Sequence, residues 1–359
     1  MKTLTITLHD TDNCGSSLQT YGLQHFLLKN NIENQVIDYT PAYTKNNGNK
    51  IKTFIRKLVF YKDSKIREKK FKDFTNKYIK KTPENYTNFK QLEKECPKAD
   101  CYITGSDQLW NSMYQCGQDP AFYLKFVNGA KKIAYAVSLG REKIPQDNLE
   151  LVKKYASNFK WVSVREKTSV PQIKSLFSQI EIDYVCDPVL LNEAKDYDDI
   201  KGKRIIKEDY ILVYMAQIPD SEYMNKIIRK VQSKFDGKVV LIGSYRNRCK
   251  CDYQIRDVAP PEFLSLIYNA NYIISNSFHA TMFSLIYNKQ FLSVLPQENG
   301  ARIQEILKYC KIENHAIKMF DEIKNVPVIN NYTNVNNKLN EFRKFSQKKL
   351  LSNLLEKNE

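Results

Sequence analysis

Glycine is scarce, at 11 of 359 residues. The few present never take the three-glycine spacing of a dinucleotide-binding turn, and no lysine completes a P-loop, so neither NAD nor a P-loop nucleotide is indicated. No apolar run reaches the length needed to span a bilayer. Cysteine is present eight times but scattered, and the one close pair, Cys249 and Cys251, has no matching second pair at zinc-ligand spacing. No metal is expected, and ordinary reduced thiols are the expected state. Histidine occurs only four times and tryptophan twice, so any of them in a polar turn stands out. Acidic residues are short, 40 against 56 basic, which leaves a formal charge of +16 and a pI near 9.2. Met1-Lys2-Thr3-Leu4 leads straight into a strand, so no signal peptide is expected and a cytoplasmic setting is.

An excess of positive charge points to nucleic acid, an anionic membrane or an anionic substrate. Nucleic acid is not expected, because zinc-finger, ribonucleoprotein and basic-zipper motifs are all missing. Much of the charge lies in a segment over residues 48–82, where lysines and arginines interleave with Phe54, Leu58, Phe60, Phe71 and Phe74. A basic amphipathic helix of this kind suits the anionic inner face of a membrane, each nearby cation contributing about 1 kcal/mol. A solvated insertion whose aromatics pack on their own domain is the other reading.

The length favours two domains. Thr3–Leu8 reads as a strand, Leu18–Asn30 as a helix with Leu18, Leu23, Phe26 and Leu27 inward, and Asn34–Thr40 as a strand, which makes a βαβ unit. Strands at Asp100–Thr104, Lys132–Ser138 and Trp161–Val164 continue it. After a charged linker near 192–208 the alternation resumes, with strands at Tyr210–Ala216, Val239–Gly243, Tyr272–Ile274 and Phe291–Leu295. The expected fold is α/β: two Rossmann-like, doubly wound domains over residues 1–195 and 205–325 facing a cleft, then an amphipathic helix over 333–356.

Three strand-end turns carry chemistry. In Ser275-Asn276-Ser277-Phe278-His279 a strand turns into a helix whose first N–H groups and dipole favour an anion beside His279. Helix capping by Ser275 or Ser277 is the plainer use of the same residues. Gly105-Ser106-Asp107-Gln108-Leu109-Trp110-Asn111 combines carboxylate, amide and indole, a mixture that suits a sugar, or else an Asp-capped turn over a buried tryptophan. Arg165 ends a strand and could clamp an oxyanion, or pair with Glu166 or Asp187.

Taken in order, Asn13 to Tyr21, Gly105 to Asn111, Ala134 to Gly140, Ser163 to Glu166, Asp187-Pro188 and Ser275 to Ala280 resemble the polysaccharide pyruvyl transferase family. The resemblance runs from about residue 5 to residue 310. It implies an architecture like that of the B-type glycosyltransferases, phosphoenolpyruvate as co-substrate without a further cofactor, and as acceptor a sugar of a bacterial surface glycan, often lipid-linked. Carried over by position, Arg165 and His279 are donor-site residues. Many members have an arginine where this chain has Ser277; another branch reads Asp-Ser-Phe-His-Gly, and here Asn276 and Ala280 replace its aspartate and glycine. Donor contacts are therefore expected from Arg165, Ser277, His279 and Arg302, and acceptor contacts from Asn13, Ser16, Asp107, Gln108 and Trp110.

Forming a pyruvate ketal requires an acid at the donor methylene, cations and N–H groups around carboxylate and phosphate, and a base at the acceptor hydroxyl. His279 and Asp107 are the candidate catalytic pair. Two rivals keep a place: a sugar-nucleotide-dependent glycosyltransferase, with Glu298 or Glu305 holding a ribose, and a non-catalytic scaffold docked to a membrane through its basic segment.

Overall fold

Parallel strands buried on both faces need continuous apolar stretches and helical crossovers, and the sequence supplies both. In the computed structural model, which describes residues 1–45, 61–217, 219–243, 249–296 and 300–356, they form two parallel sheets. The first holds β1 (Lys2–Ile6), β2 (Glu33–Tyr39), β3 (Lys81–Tyr86), β4 (Cys101–Thr104), β5 (Lys131–Val137), β6 (Trp161–Val164) and β7 (Glu181–Tyr184). Their order is β3-β2-β1-β4-β5-β6-β7. The second holds β8 (Tyr210–Tyr214), β9 (Lys238–Ile242), β10 (Tyr253–Ile255), β11 (Tyr272–Ser275), β12 (Gln290–Leu295) and β13 (Ala316–Lys318), in the order β10-β9-β8-β11-β12-β13. Each sheet reverses its winding beside its first strand, between β1 and β4 and between β8 and β11, which is the Rossmann-like, doubly wound arrangement.

The chain divides into two compact units. One comprises Met1–Ile55, Thr75–Asn192 and Glu341–Glu359, and the other Arg56–Phe74 and Glu193–Asn340. The core of the first gathers Leu4, Ile6, Ile37, Trp110, Phe122, Val137 and Val164, and that of the second Ile211, Val213, Leu241, Ile274 and Val294. Two assignments differ from the sequence reading. Of the basic segment, the described residues Tyr61–Phe74 group with the second unit, and the terminal helix Thr333–Leu355 belongs to the first from Glu341 onward. The expected apolar face of that helix holds, since Leu339, Phe342, Leu350 and Leu354 are all buried. Phe342 lies against Tyr184 with ring centroids 4.8 Å apart, and the Cys186 amide donates to Ser346 Oγ at 2.9 Å.

The helix Cys14–Lys29 begins four residues earlier than its apolar stripe predicts, because Asn13 caps it by accepting from the amides of Gly15 and Ser16. Its Gly22 is required by a close approach: a Cβ there would meet the Pro188 carbonyl oxygen at 2.7 Å. β3 escapes the sequence reading because Lys-Thr-Pro-Glu-Asn-Tyr is polar and carries a proline, both permitted at a sheet edge. In the helix Tyr61–Tyr78, Phe71 and Phe74 are buried. Lys70 pairs with Asp257 at 2.7 Å and Glu262 at 3.1 Å. That favours the packed-insertion reading for this part; the aromatics of 46–60 lie outside the described residues. Among the described residues no helix is long and apolar enough to cross a membrane.

Candidate functional site

Ligands of open α/β sheets bind beyond the carboxyl ends of the strands, where the winding reverses. In both units the candidate residues stand at that place and are stitched across it. In the first unit the loop after β1 starts the helix Cys14–Lys29, and the loop after β4 carries Asp107. Ser16 Oγ donates to Asp107 Oδ2 at 2.5 Å, joining the two loops. Asp107 also accepts from the Gln108 amide at 2.8 Å and is held at φ +85°. Nearby Ala136 has φ +53°, where β5 shifts register, and the backbone of Asp107 bridges to Val137. Positive φ at two residues other than glycine costs about 1–3 kcal/mol each, strain that collects at functional positions.

Behind Asp107 lies Arg165, 4% exposed. Its Nη1 donates to Asp187 Oδ2 at 2.6 Å and to Ser106 Oγ at 3.3 Å. Nη2 stands 3.6 Å from Asp107 Oδ1, and Nε 4.0 Å from Glu166 Oε1. Glu166 in turn accepts from Ser138 Oγ. Burial alone would lower the arginine's pKa, but Asp187, Asp107 and Glu166 together raise it above the ordinary value. Of the two uses open to Arg165, pairing with Asp187 is the one the structure displays. The guanidinium becomes the positive centre of a carboxylate cluster that includes Asp107.

Ser16 and Gln108 bond to Asp107, Asn13 caps the helix that carries Ser16, and Trp110 lies elsewhere. Asn13 is exposed beside its helix start, Ser16 bonds Asp107 directly, and Gln108 accepts from Asn111 Nδ2 at 2.8 Å. Trp110 is fully buried, its Nε1 donating to the Phe122 carbonyl at 3.0 Å and its ring stacked on Tyr123. An indole that is fully buried, stacked on Tyr123 and with its N–H engaged inside the core cannot serve as a sugar platform, which corrects that expectation.

The second unit repeats the stitching. Asn276, just after β11, accepts from the amides of Ala216 and Gln217 in the loop after β8, at 2.7 and 3.3 Å, and donates to the Gln217 carbonyl. The amide both accepts and donates here; the aspartate of the related branch lacks the donor. Ser275 Oγ donates to the Tyr214 carbonyl, and Ser277 caps the helix Phe278–Ile286 by accepting from the Ala280 amide at 3.4 Å. Capping thus holds for Ser277 without displacing the dipole argument. His279 lies in the first helical turn, 8% exposed and edge-on to Phe278. The guanidinium of Arg302, from the helix Ala301–Tyr309, lies 5.3 Å from the Phe278 ring centroid. Ser277, His279 and Arg302 are therefore neighbours, while Asp107 and Arg165 belong to the other unit. Glu298 lies outside the described residues.

Sequence reading passed over one pair. His9, just past β1, places Nε2 2.9 Å from Asp38 Oδ1, and Lys81 donates to Asp38 Oδ2 at 2.8 Å. A histidine at a strand's carboxyl end was the available signal; its partner is 29 residues away. Burial pushes the Asp38 carboxyl up, but hydrogen bonds from His9 and Lys81 outweigh it and bring the pKa down to about 2. A carboxylate with a lowered folded pKa stabilises above its unfolded value, near 3.8, and loses this as pH falls toward 2. Asp38→Asn is expected to cost about 2 kcal/mol at pH 7, with the gap from wild type closing below pH 4. Urea unfolding across that range checks it, and a gap independent of pH would contradict the pairing.

Among the described residues, no group of three or more His, Cys, Asp or Glu side chains is placed to hold a metal ion. No curated protein matches the chain in sequence. Among solved structures, the UDP-GlcNAc 2-epimerase of Methanocaldococcus jannaschii has a TM-score of 0.57 at 12% identity, covering 99% of each chain. The UDP co-structure of MnaA from S. aureus gives 0.56 at 12% identity, covering 98% of this chain and 95% of that one. At such identities the likeness establishes the fold, that of enzymes resembling the B-type glycosyltransferases. The profile of the polysaccharide pyruvyl transferase family matches residues 13–298, a span holding both stitched strand ends, and on that match the chain belongs to this family.

Proposed function

We propose that the chain transfers pyruvate from phosphoenolpyruvate to two hydroxyls of one sugar in a surface polysaccharide or its lipid-linked precursor, forming a cyclic ketal. The observation that carries the reading is the turn from Ser277 to His279 at the second sheet's winding reversal, with Arg302 alongside through Phe278, in a chain of this family. A helix start of positive polarity beside a guanidinium and an imidazole suits a donor bearing both carboxylate and phosphate.

In this reading His279 gives a proton to the donor's methylene carbon, and positive charge develops at C2. A sugar hydroxyl oxygen bonds to C2 while Asp107 takes its proton. The second hydroxyl then bonds to C2 as the C2–O bond to phosphate breaks, and its proton leaves with the phosphate. Ser277 and Arg302 hold the donor, whereas Asn13, Ser16 and Gln108 serve the acceptor. Arg165, with Nη2 3.6 Å from Asp107 Oδ1, fixes that carboxylate in place, which makes it a positioning residue. An anionic membrane remains a proposed partner for the exposed lysines of the basic helix, Lys69 and Lys72, the latter pairing only at the surface with Glu68, while Lys70 is held by Asp257 and Glu262.

Thermal-shift measurements with phosphoenolpyruvate and a panel of sugar nucleotides test the donor. Stabilisation by phosphoenolpyruvate at a hundredfold excess over Kd should reach about 2.7 kcal/mol. Stabilisation by sugar nucleotides alone would instead identify a glycosyltransferase.

A further inference from the structure

The first unit contains a cavity of about 540 Å³ beyond the carboxyl ends of β2 and β3, outside the residues given roles above. Its volume lies in the range of pockets that hold small molecules. Tyr39, Tyr43 and Phe89 supply aromatic surface, Asn88 and Gln115 supply amides, and Asp119 supplies a carboxylate. Among the described residues no lysine or arginine lines it. A site for phosphate, carboxylate or a nucleotide would need such cations, so the chemistry selects an uncharged, hydroxyl-rich ligand.

The phenols of Tyr39 and Tyr43 both donate to Asp119 Oδ2, at 2.7 and 2.6 Å. Asp119 Oδ1 accepts from the Ala121 amide at 2.9 Å. The carboxylate is thus held by three donors. Each phenol has spent its only proton, so what remains of its oxygen is an acceptor. Burial, and then Asp119, push both phenols well above the ordinary tyrosine range, so they stay neutral. Two fixed phenol acceptors, aromatic faces and amides that both donate and accept match the alternation of C–H faces and hydroxyls on a sugar.

The cavity also has a defined place relative to Asp107. Gln115 and Asp119 lie on the same β4–β5 connection as Asp107, and Cys116 Sγ reaches back to the Gln108 carbonyl at 3.6 Å. In the sheet order β2 and β4 are separated by β1 alone, so about 10 Å parts their ends. We infer that this cavity is a subsite for a neutral, non-reacting sugar residue of the acceptor glycan, beside the sugar presented to Asp107. The link to Asp107 rests on the pyruvyl-transfer reading; the sugar-binding character of the cavity does not.

The test is calorimetric titration of the full-length protein with lactose, cellobiose and N,N′-diacetylchitobiose, with inorganic phosphate as competitor. At least one disaccharide should bind with a Kd on the order of 1 mM, and phosphate should not displace it. Tyr43→Phe, which loses one hydroxyl, should weaken binding about fivefold, and Phe89→Ala should weaken it too, both with wild-type circular dichroism. Failure of all three disaccharides to bind, or equal binding by wild type and both variants, would overturn the subsite. Phosphate release from phosphoenolpyruvate is assayed in parallel. Sugar binding lost in the variants without any phosphate release would keep the subsite and reject the donor; release without sugar binding would do the opposite.

Discussion

Replacing His279 with alanine is expected to lower kcat for phosphate release from phosphoenolpyruvate by about 10² to 10⁴-fold, the range contributed by a positioned proton donor. The fold should survive, because the imidazole sits in the first turn of a helix whose cap is Ser277 and whose buried stripe runs through Met282, Phe283 and Leu285. Only a modest packing loss against Phe278 is expected, visible as a small shift in melting temperature. The division between constants separates two roles for the ring. A proton donor removed from the transition state lowers kcat while leaving KM for phosphoenolpyruvate nearly unchanged; a phosphate ligand raises KM. His279→Gln keeps a hydrogen-bond donor but no transferable proton, so it should show a KM near that of the wild type and a low kcat. Turnover near wild type in the alanine variant would remove His279 from the chemistry.

That His279 could be singled out from sequence has a physical basis. β11 is short, apolar and fully buried, and the serines and asparagine after it mark a turn before helical spacing begins, so strand, turn and helix were each legible. Partner choice was not. Arg165 could reach a ligand, Glu166 or Asp187 with equal plausibility, and the approach of β6 to the Asp187 turn decides for Asp187. Trp110 was legible as an aromatic in a polar loop, but its direction depends on Phe122 and Tyr123, which a local reading does not place. The edge strands β3, β10 and β13 were missed because they are short or polar: an edge needs no two-sided apolar run. The Asn276 and Ser16 stitches escaped for the same reason as His9 with Asp38. Each joins strand ends brought together by sheet order, far apart along the chain.

The largest stability effect is expected at Arg165. Arg165→Met removes the guanidinium that faces Asp187, Glu166 and Asp107, and the first two are 2% and 0% exposed. Deleting one partner of a buried ion pair leaves uncompensated charge and costs about 3–5 kcal/mol, well above the 0–1 kcal/mol typical of an exposed pair. The pH dependence identifies the cause. In the wild type the arginine's pKa is raised, so its contribution persists at every pH below the ordinary arginine range and cannot generate a slope near neutrality. In the variant the carboxylates, deprived of the guanidinium, shift toward their protonated forms. Their folded pKa values rise above the unfolded ones, so the penalty is full at pH 7 and shrinks as pH falls into the carboxylate range. Urea unfolding at pH 7 and pH 5 should therefore show a smaller gap from wild type at the lower pH. Adding Asp187→Asn to Arg165→Met should recover part of the loss at pH 7 by removing one of the stranded charges. Arg165→Lys, which restores charge without the planar fork, should recover stability incompletely. A gap of less than about 1 kcal/mol at pH 7 would place the guanidinium outside the cluster's energetics and return it to the role of a donor ligand.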